Sequence, residues 1–316
     1  MRNCVCGVDL GGTKIGIGIV DSNGKIIAKV NVPTPVKEGK QAVLDSIVKG
    51  IEDVITKANL KTSDLLGIGV GSPGPLNSKL GIIYNPNNLP GFENVEIVKF
   101  LNEKFGTNVK LQNDANAAAL GEYIFGSGKG TENFVYVTVS TGIGGGLIVN
   151  GKIFEGANSN AVEIGHMTIL DGGPACSCGN IGCYEALASG TALQRFAREA
   201  VLKGEKTIIK EIAGDRDIKA EDVFKAYHRG DKLAIKLVEQ EAYYLGVGMI
   251  NLIALYNPER IAIGGGVSNE FDTFYDKMME TVEKRALKPS LKVCDIVKAK
   301  VNDVGIVGAA SLIYEK

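Results

Sequence analysis

Val5-Cys6-Gly7-Val8-Asp9-Leu10-Gly11-Gly12-Thr13-Lys14-Ile15-Gly16-Ile17-Gly18-Ile19-Val20 lies near the start of the chain. An apolar run ends at an acid, turns on Gly11-Gly12-Thr13 and resumes as a second apolar run. Two such runs across a Gly-Gly turn predict a β-hairpin. Asp21-Ser22-Asn23-Gly24 turns the chain again into a third strand over residues 26–32, so a β-meander is expected. A dinucleotide-binding unit would instead lead from its first strand into a helix. The pattern then recurs. Residues 134–139 read as a strand, Ser140-Thr141-Gly142-Ile143-Gly144-Gly145-Gly146 as a glycine-rich tip, and residues 147–153 as more of the sheet. This internal repeat predicts two similar domains facing one cleft. Each tip can offer backbone N–H groups to a phosphate. Asp9 can hold Mg²⁺ directly or through water.

Between the meanders, residues 39–58 place Ala42, Val43, Ile47, Val48, Ile51, Val54 and Ile55 on one apolar stripe, which predicts a helix. A buried strand follows at residues 65–70. Gly69-x-Gly71-x-x-Gly74 formally matches a dinucleotide fingerprint, but Pro73 and Pro75 deny it a helix directly after the strand. The loop at residues 84–92 is rich in Asn, Pro and Gly, and its amides, Asn88 among them, suit a hydroxyl-rich ligand. A helix is expected over residues 95–105, a strand over 109–112, and another helix from Asn113. Asp114 stands at that strand-to-helix turn. It is placed either to cap the helix or to meet a ligand at the carboxyl end of the strand. Gly126-Ser127-Gly128-Lys129-Gly130-Thr131 fails as a P-loop, since Gly130 follows the lysine and a helix precedes it.

Glu163-Ile164-Gly165-His166 leads into Cys176-Ser177-Cys178-Gly179-Asn180-Ile181-Gly182-Cys183-Tyr184-Glu185. One imidazole and three thiols are a complete donor set for a tetrahedral Zn²⁺. The intervening glycines and Pro174 let the backbone turn sharply enough to converge them. Four protein ligands leave no open position, so the metal expected here is structural. Helices are expected over residues 192–203, 220–229 (with Asp217 helping to cap it) and 233–255. His228 reads as an exposed helix-end residue. A strand at residues 260–263 ends in Gly264-Gly265-Gly266, which suits either a flat base or ribose against the backbone or simple close packing. A strand over 293–299 and a helix over 306–314 complete the chain.

The 316 residues suggest about two domains. Apolar content of 45% with 22% charged residues is that of a globular protein, and a formal charge of −1 gives no electrostatic case for nucleic acid or an acidic membrane. No apolar run reaches the ~18–20 residues of a membrane span. The N-terminal residues do not read as a signal peptide. Cys4, Cys6 and Cys294 lie in strand-like apolar contexts, so a reducing cytoplasm is expected.

Taken together, Asp9-Leu10-Gly11-Gly12-Thr13-Lys14, Asn113-Asp114-Ala115-Asn116-Ala117-Ala118, Gly142-Ile143-Gly144-Gly145-Gly146, Glu163-Ile164-Gly165-His166, the Cys176–Glu185 motif and Gly264-Gly265-Gly266-Val267 resemble the bacterial glucokinases of the ROK family (repressors, open reading frames, kinases). The likeness runs in order over nearly the whole chain. It implies an α/β, actin/hexokinase-like (ribonuclease H-like) fold with duplicated domains flanking a central cleft. It implies ATP-dependent phosphorylation of D-glucose at the 6-hydroxyl, with Asp114 as general base. Asn113, Asp114, Glu163, His166 and Glu185 match the family's sugar contacts. Gly11, Gly12, Thr13 and Lys14, with Thr141, Gly142, Gly144 and Gly145, match its phosphate grips, and Gly265-Gly266 its adenosine site. His166, Cys176, Cys178 and Cys183 match its zinc ligands. Boundaries of 1–112 plus 303–316 for a small domain and 113–302 for a large one are expected, as are a homodimer and a cytoplasmic location. Asn160-Ala161-Val162 departs from the glycine-rich approach to Glu163 that the family favours.

Three rival readings follow. A kinase for fructose, mannose or an N-acetylhexosamine shares every motif. A sugar-responsive repressor needs an added DNA-binding module, whereas this sequence begins directly in the first strand. A chaperone or filament ATPase of the same fold has no use for a zinc loop flanked by carboxylates.

Overall fold

β1 (Cys4–Leu10) meets β2 (Lys14–Asp21) antiparallel, with Leu10 opposite Ile15 across the Gly-Gly-Thr turn. The computed structural model describes residues 4–315, so the signal-peptide reading at the first three residues lies outside it. β3 (Ile26–Pro33) completes the meander. After α1 (Lys40–Lys57), β4 (Leu65–Ser72) adds parallel to β1. It runs into a loop and the small β5 (Leu76–Asn77) and β6 (Ile82–Ile83) pair, with no helix after it. That bears out the rejection of the dinucleotide fingerprint. α2 (Ile97–Phe105) leads to β7 (Val109–Asn113), parallel to β4, and α3 (Asp114–Phe125) follows at once. The sheet order is β3-β2-β1-β4-β7.

The second meander is β8 (Phe134–Val139), β9 (Ile143–Val149) and β10 (Lys152–Ile153). Helices α4 (Tyr184–Ala188), α5 (Gly190–Leu202), α6 (Ile209–Ala213), α7 (Ala220–Tyr227) and α8 (Lys232–Tyr256) come next. Then follow β11 (Arg260–Gly264), α9 (Phe271–Arg285), α10 (Lys288–Leu291), β12 (Asp295–Lys298) and α11 (Val304–Tyr314). The second sheet has the order β10-β9-β8-β11-β12. It therefore repeats the first strand for strand: three antiparallel, then two parallel. Among the described residues, four helices escaped the sequence reading: α4, α6, α9 and α10. α9 buries Phe271, Phe274, Met278 and Val282 at helical spacing, and α4 is too short to show a period.

By contacts the chain forms two compact units. One comprises the residues up to Glu132, Gly146–Val162 and everything from Lys300 onward; the other comprises Asn133–Gly145 and Glu163–Ala299. This division differs from a boundary at residue 112, because α3 stays with the first sheet. α11 packs along α3, and Gly121 meets Gly308 where the two helices cross. α11 also lies flat on the strands. A Cβ on Gly7 or Gly69 would strike the carbonyls of Ile306 and Ala309, so only glycine admits the helix at those points. On the other face α1 buries Val43, Leu44, Ile47, Ile51 and Val54 against Val8, Ile17 and Val70. In the second unit α8 packs on α4, α7 and α9. No helix among the described residues is long and apolar enough to cross a membrane.

Candidate active site and metal centre

In the first unit, the half-buried Asp9 is the penultimate residue of β1. Its carboxyl is pushed up to about 6, first by burial and then by the Asp114 charge. Lys14 opposes the shift and Asp303 adds to it. Gly305, at the start of α11, packs directly on the Asp9 carboxylate. The tip beside it is held by Gly11 N–H to Lys14 O (3.1 Å), Thr34 Oγ1 to Gly11 O (2.7 Å) and Thr34 N–H to Thr13 O (3.1 Å). Thr13 and Lys14 are exposed. Gly12 lies against Asn88, so near that a Cβ on it would stand 2.6 Å from Asn88 O.

Asn113, not Asp114, caps α3. Its Oδ1 accepts from Ala115 N–H (3.0 Å) and Asn116 N–H (3.3 Å). That leaves Asp114 on the first turn of the helix, with Oδ1 accepting from Ala115 N–H at 2.8 Å. Solvent reaches the Asp114 side chain, yet protein atoms crowd its carboxyl. The crowding prevails: burial raises its pKa, against the Ala115 N–H and its own N–H, which favour the ionised form. Sequence reasoning missed Gln112. It is 3% exposed, its Oε1 accepts from Asn113 N–H (2.8 Å), and its Nε2 donates to Glu155 Oε1 (2.8 Å). β7 also carries Lys110 and Asn113, so nothing in the local sequence marks Gln112 as buried.

In the second unit the glycine-rich tip closes with Ser140 N–H to Gly142 O (2.9 Å), and Thr141 is exposed on it. Gly144 and Gly145 lie in β9. Glu185, on the first turn of α4, accepts the Ile143 N–H through Oε2 at 2.9 Å. Glu163 is exposed and its carbonyl accepts the His166 N–H (3.0 Å) in a short 3₁₀ turn. A cavity of about 590 Å³ is lined by Thr141, Gln194, Lys219, Lys225, Gly266 and Asn269, among others. Its size is within the usual range for small-molecule sites. Gly266 faces it, whereas Gly265 (φ 85°) is explained by packing, since a Cβ there would strike Val139 O.

His166, Cys176, Cys178 and Cys183 converge, with all four donor atoms within 4.8 Å of one another. His166 Nδ1 lies 3.7 Å from Cys176 Sγ, and Cys178 Sγ lies 3.8 Å from Cys183 Sγ. A tetrahedral Zn²⁺ with its usual bond lengths separates two sulfurs by about 3.8 Å, and a sulfur from an imidazole nitrogen by about 3.6 Å. The donor set therefore fits zinc in both chemistry and spacing. Hydrogen bonds hold the loop in this form: Asn180 Nδ2 bonds Thr168 Oγ1 (2.9 Å) and Cys183 Sγ (3.4 Å), and Cys176 N–H bonds Asn180 O (2.8 Å). Gly182 (φ 69°) packs on Leu170 O, where no Cβ fits. Because Nδ1 faces the thiols, Nε2 of the exposed His166 ring is the nitrogen left to other partners.

Other expectations are corrected. Lys219, not Asp217, is the N-cap of α7; Asp222 accepts the Lys219 N–H (2.9 Å) and pairs with Arg216. His228 is exposed at a helix end as read, and its Nε2 lies 2.8 Å from Glu270 Oε2.

A duplicated α/β sheet with a glycine tip in each copy is the actin/hexokinase-like (ribonuclease H-like) fold. The ROK family model matches residues 5–316, and the chain belongs to the ROK family. It is 36% identical over 319 residues to a glucokinase of Halalkalibacterium halodurans, covering 98% of this chain and 94% of that protein. Among solved structures, the ROK hexokinase of Thermus thermophilus is 37% identical with a TM-score of 0.82, covering 98% of each chain. A ROK glucokinase of Streptomyces griseus, solved with glucose and AMPPNP, is 29% identical with a TM-score of 0.81, covering 99% of this chain and 100% of that one.

Proposed function

We propose that this chain transfers the γ-phosphoryl group of ATP to the 6-hydroxyl of D-glucose, giving glucose 6-phosphate and ADP. The observation that supports the reading is the Asn113–Asp114 turn, where Asn113 caps the helix and the adjacent Asp114 carboxyl, with one oxygen on the Ala115 N–H, has a raised proton affinity. Asp114 accepts the proton of the 6-hydroxyl as that oxygen bonds to the γ-phosphorus and the bond to the β-phosphate oxygen breaks. A positioned base typically contributes ~10²–10⁴-fold. Phosphoryl transfer otherwise rests on positioning and on charge stabilisation at the phosphates.

The remaining roles follow from chemistry and place. Asn88 and Asn113 offer amides to ring hydroxyls, and Glu163, Glu185 and the His166 Nε2 offer acceptors. The tips Gly11, Gly12, Thr13, Lys14 and Thr141, Gly142, Gly144, Gly145 bind the phosphates. The cavity at Gly266, with Gly265 behind it, takes the adenosine. Asp9 holds Mg²⁺ directly or through water, and the ion neutralises phosphate charge when bound. His166, Cys176, Cys178 and Cys183 hold a structural Zn²⁺, whose service is to fix where His166 and Glu185 point. We assign the chain to the cytoplasm, as a homodimer.

A coupled assay with ATP across glucose, mannose, fructose and N-acetylated hexosamines tests this reading. Glucose is expected to give the highest kcat/KM. A higher value for any other hexose replaces glucose as the substrate, and no turnover with any of them removes the kinase assignment.

A further inference from the structure

We propose that the Asn160 side chain reads one ring hydroxyl of the sugar and so helps set which hexose this chain prefers. The proposal rests on the sugar-kinase reading above and adds a residue to it.

Asn160 sits in a loop bent where side chains are disfavoured. Ser159 has φ 64° and Val162 φ 67°, and a β-branched residue in the left-handed region is a strained one. Strain of this kind persists only where surrounding contacts impose it, and here they are visible. Ser159 is 5% exposed; its Oγ lies 2.9 Å from Ser78 Oγ and accepts the Ser78 N–H at 3.3 Å. Ser78 Oγ donates to Glu155 Oε1 at 2.5 Å, and Gln112 Nε2 donates to the same oxygen at 2.8 Å. Gln112 in turn holds the Asn113 N–H. One hydrogen-bonded chain thus fixes both the Asn160 loop and the Asn113–Asp114 turn.

The orientation of the Asn160 amide is fixed as well. Its Nδ2 donates to Asn158 O at 2.9 Å, so the atom directed elsewhere is the acceptor Oδ1. That oxygen faces Gly74. A Cβ built on Gly74 would lie 3.5 Å from Asn160 Oδ1 and 3.8 Å from Asn113 Nδ2. An acceptor and a donor therefore flank one position above a residue with no side chain. A hydroxyl both donates and accepts, and this pair meets both needs. A sugar with that hydroxyl absent or inverted leaves the two half-buried amide groups unpaired, which is a route to discrimination.

The test compares wild type, Asn160→Ala and Gly74→Ala on glucose and on 2-, 3- and 4-deoxyglucose. Asn160→Ala is expected to raise the glucose KM roughly tenfold, the worth of one hydrogen bond, with kcat within about twofold. For one of the deoxyglucoses the two enzymes should share the same KM, and that sugar identifies the hydroxyl read. Gly74→Ala introduces only ordinary contacts, so it should fold normally and raise the same KM by filling the position. An unchanged glucose KM in Asn160→Ala overturns the proposal, as does an equal rise for all three deoxy sugars, which marks a general disturbance of the loop. If wild type phosphorylates none of the sugars, the kinase reading fails by itself. Calorimetric binding of the same sugars to the same variants then decides the role of Asn160 on the same criteria.

Discussion

The Glu185 carboxylate is bonded to the backbone of the second glycine tip, accepting the Ile143 N–H through Oε2 at 2.9 Å. Gly142 packs on that same oxygen, where a Cβ would collide with it. The acid proposed to meet the sugar and the turn proposed to bind phosphate thus share one contact. Gly142→Ala is expected to displace the carboxylate, since a side chain yields before a strand does. Loss of a charge-assisted hydrogen bond is worth about 1.5–3 kcal/mol, or roughly 10–100-fold. Steady-state kinetics should show KM rising for glucose and ATP together, with little change in Tm. A rise for ATP alone would contradict the coupling.

Asp9 gives a pH signature. Its folded pKa of about 6 stands above the ordinary 3.8, chiefly through burial. Below the ordinary value both folded and unfolded chains carry the proton, and the site costs nothing. As pH rises toward 6 the unfolded chain ionises more readily, so stability is lost across that window. Asp9→Asn removes the loss. Thermal melts should show the variant matching wild type near pH 4 and exceeding it above pH 6, while its activity with Mg²⁺ falls. Equal melts at both pH values would contradict the raised pKa.

The Cys/His cluster yields a metal count. One zinc per chain is expected by elemental analysis, and Cys178→Ser should lose it. Zinc contributes on the order of 10 kcal/mol in isolated zinc peptides and less in a domain with its own core. A chelator should therefore lower Tm without abolishing the fold. His166→Ala should lower zinc content and raise the glucose KM together, because the ring places one nitrogen in the cluster and leaves the other outside it. Zinc content unchanged by either substitution would remove the site.

Glu122 is a structural hub that the sequence did not advertise. It is fully buried, accepting from Ser127 N–H (2.9 Å) and Oγ (2.6 Å) through one oxygen, and from Lys300 N–H (2.8 Å) and Val301 N–H (2.5 Å) through the other. Glu122→Ala strands four donors and is expected to cost at least about 3 kcal/mol. Chemical denaturation should read this loss directly, and a change under about 1 kcal/mol would contradict it.

The same residue explains what was legible. Gly126-Ser127-Gly128-Lys129 resembles the tail of a phosphate loop in sequence, but its Ser127 is engaged by Glu122. The two meanders could be read because a strand, a glycine tip and a strand leave a strong local pattern, and both sheets follow it. The Cys/His loop could be read because ligand types and turn residues sit within one short stretch. What escaped depends on distant partners. Gln112 and Glu155 look like surface polar residues until the fold brings them to 2.8 Å. α9 carried a helical stripe at Phe271, Phe274, Met278 and Val282, diluted by eight charged residues, Asp272, Asp276, Lys277, Glu280, Glu283, Lys284, Arg285 and the capping Glu270. The cap of α3 was ambiguous because Asn113 and Asp114 are adjacent and chemically equal to the task, and only geometry separates them.

That separation leads to the central claim, that Asp114 takes the proton of the attacking hydroxyl. The direct measurement is kcat of Asp114→Asn with ATP and glucose, on protein whose glucose affinity is verified by calorimetry. The amide keeps the shape and the helix turn but is not a base. The account predicts a fall in kcat of ~10²–10⁴-fold with glucose affinity within a few-fold of wild type. A kcat near that of wild type would contradict it.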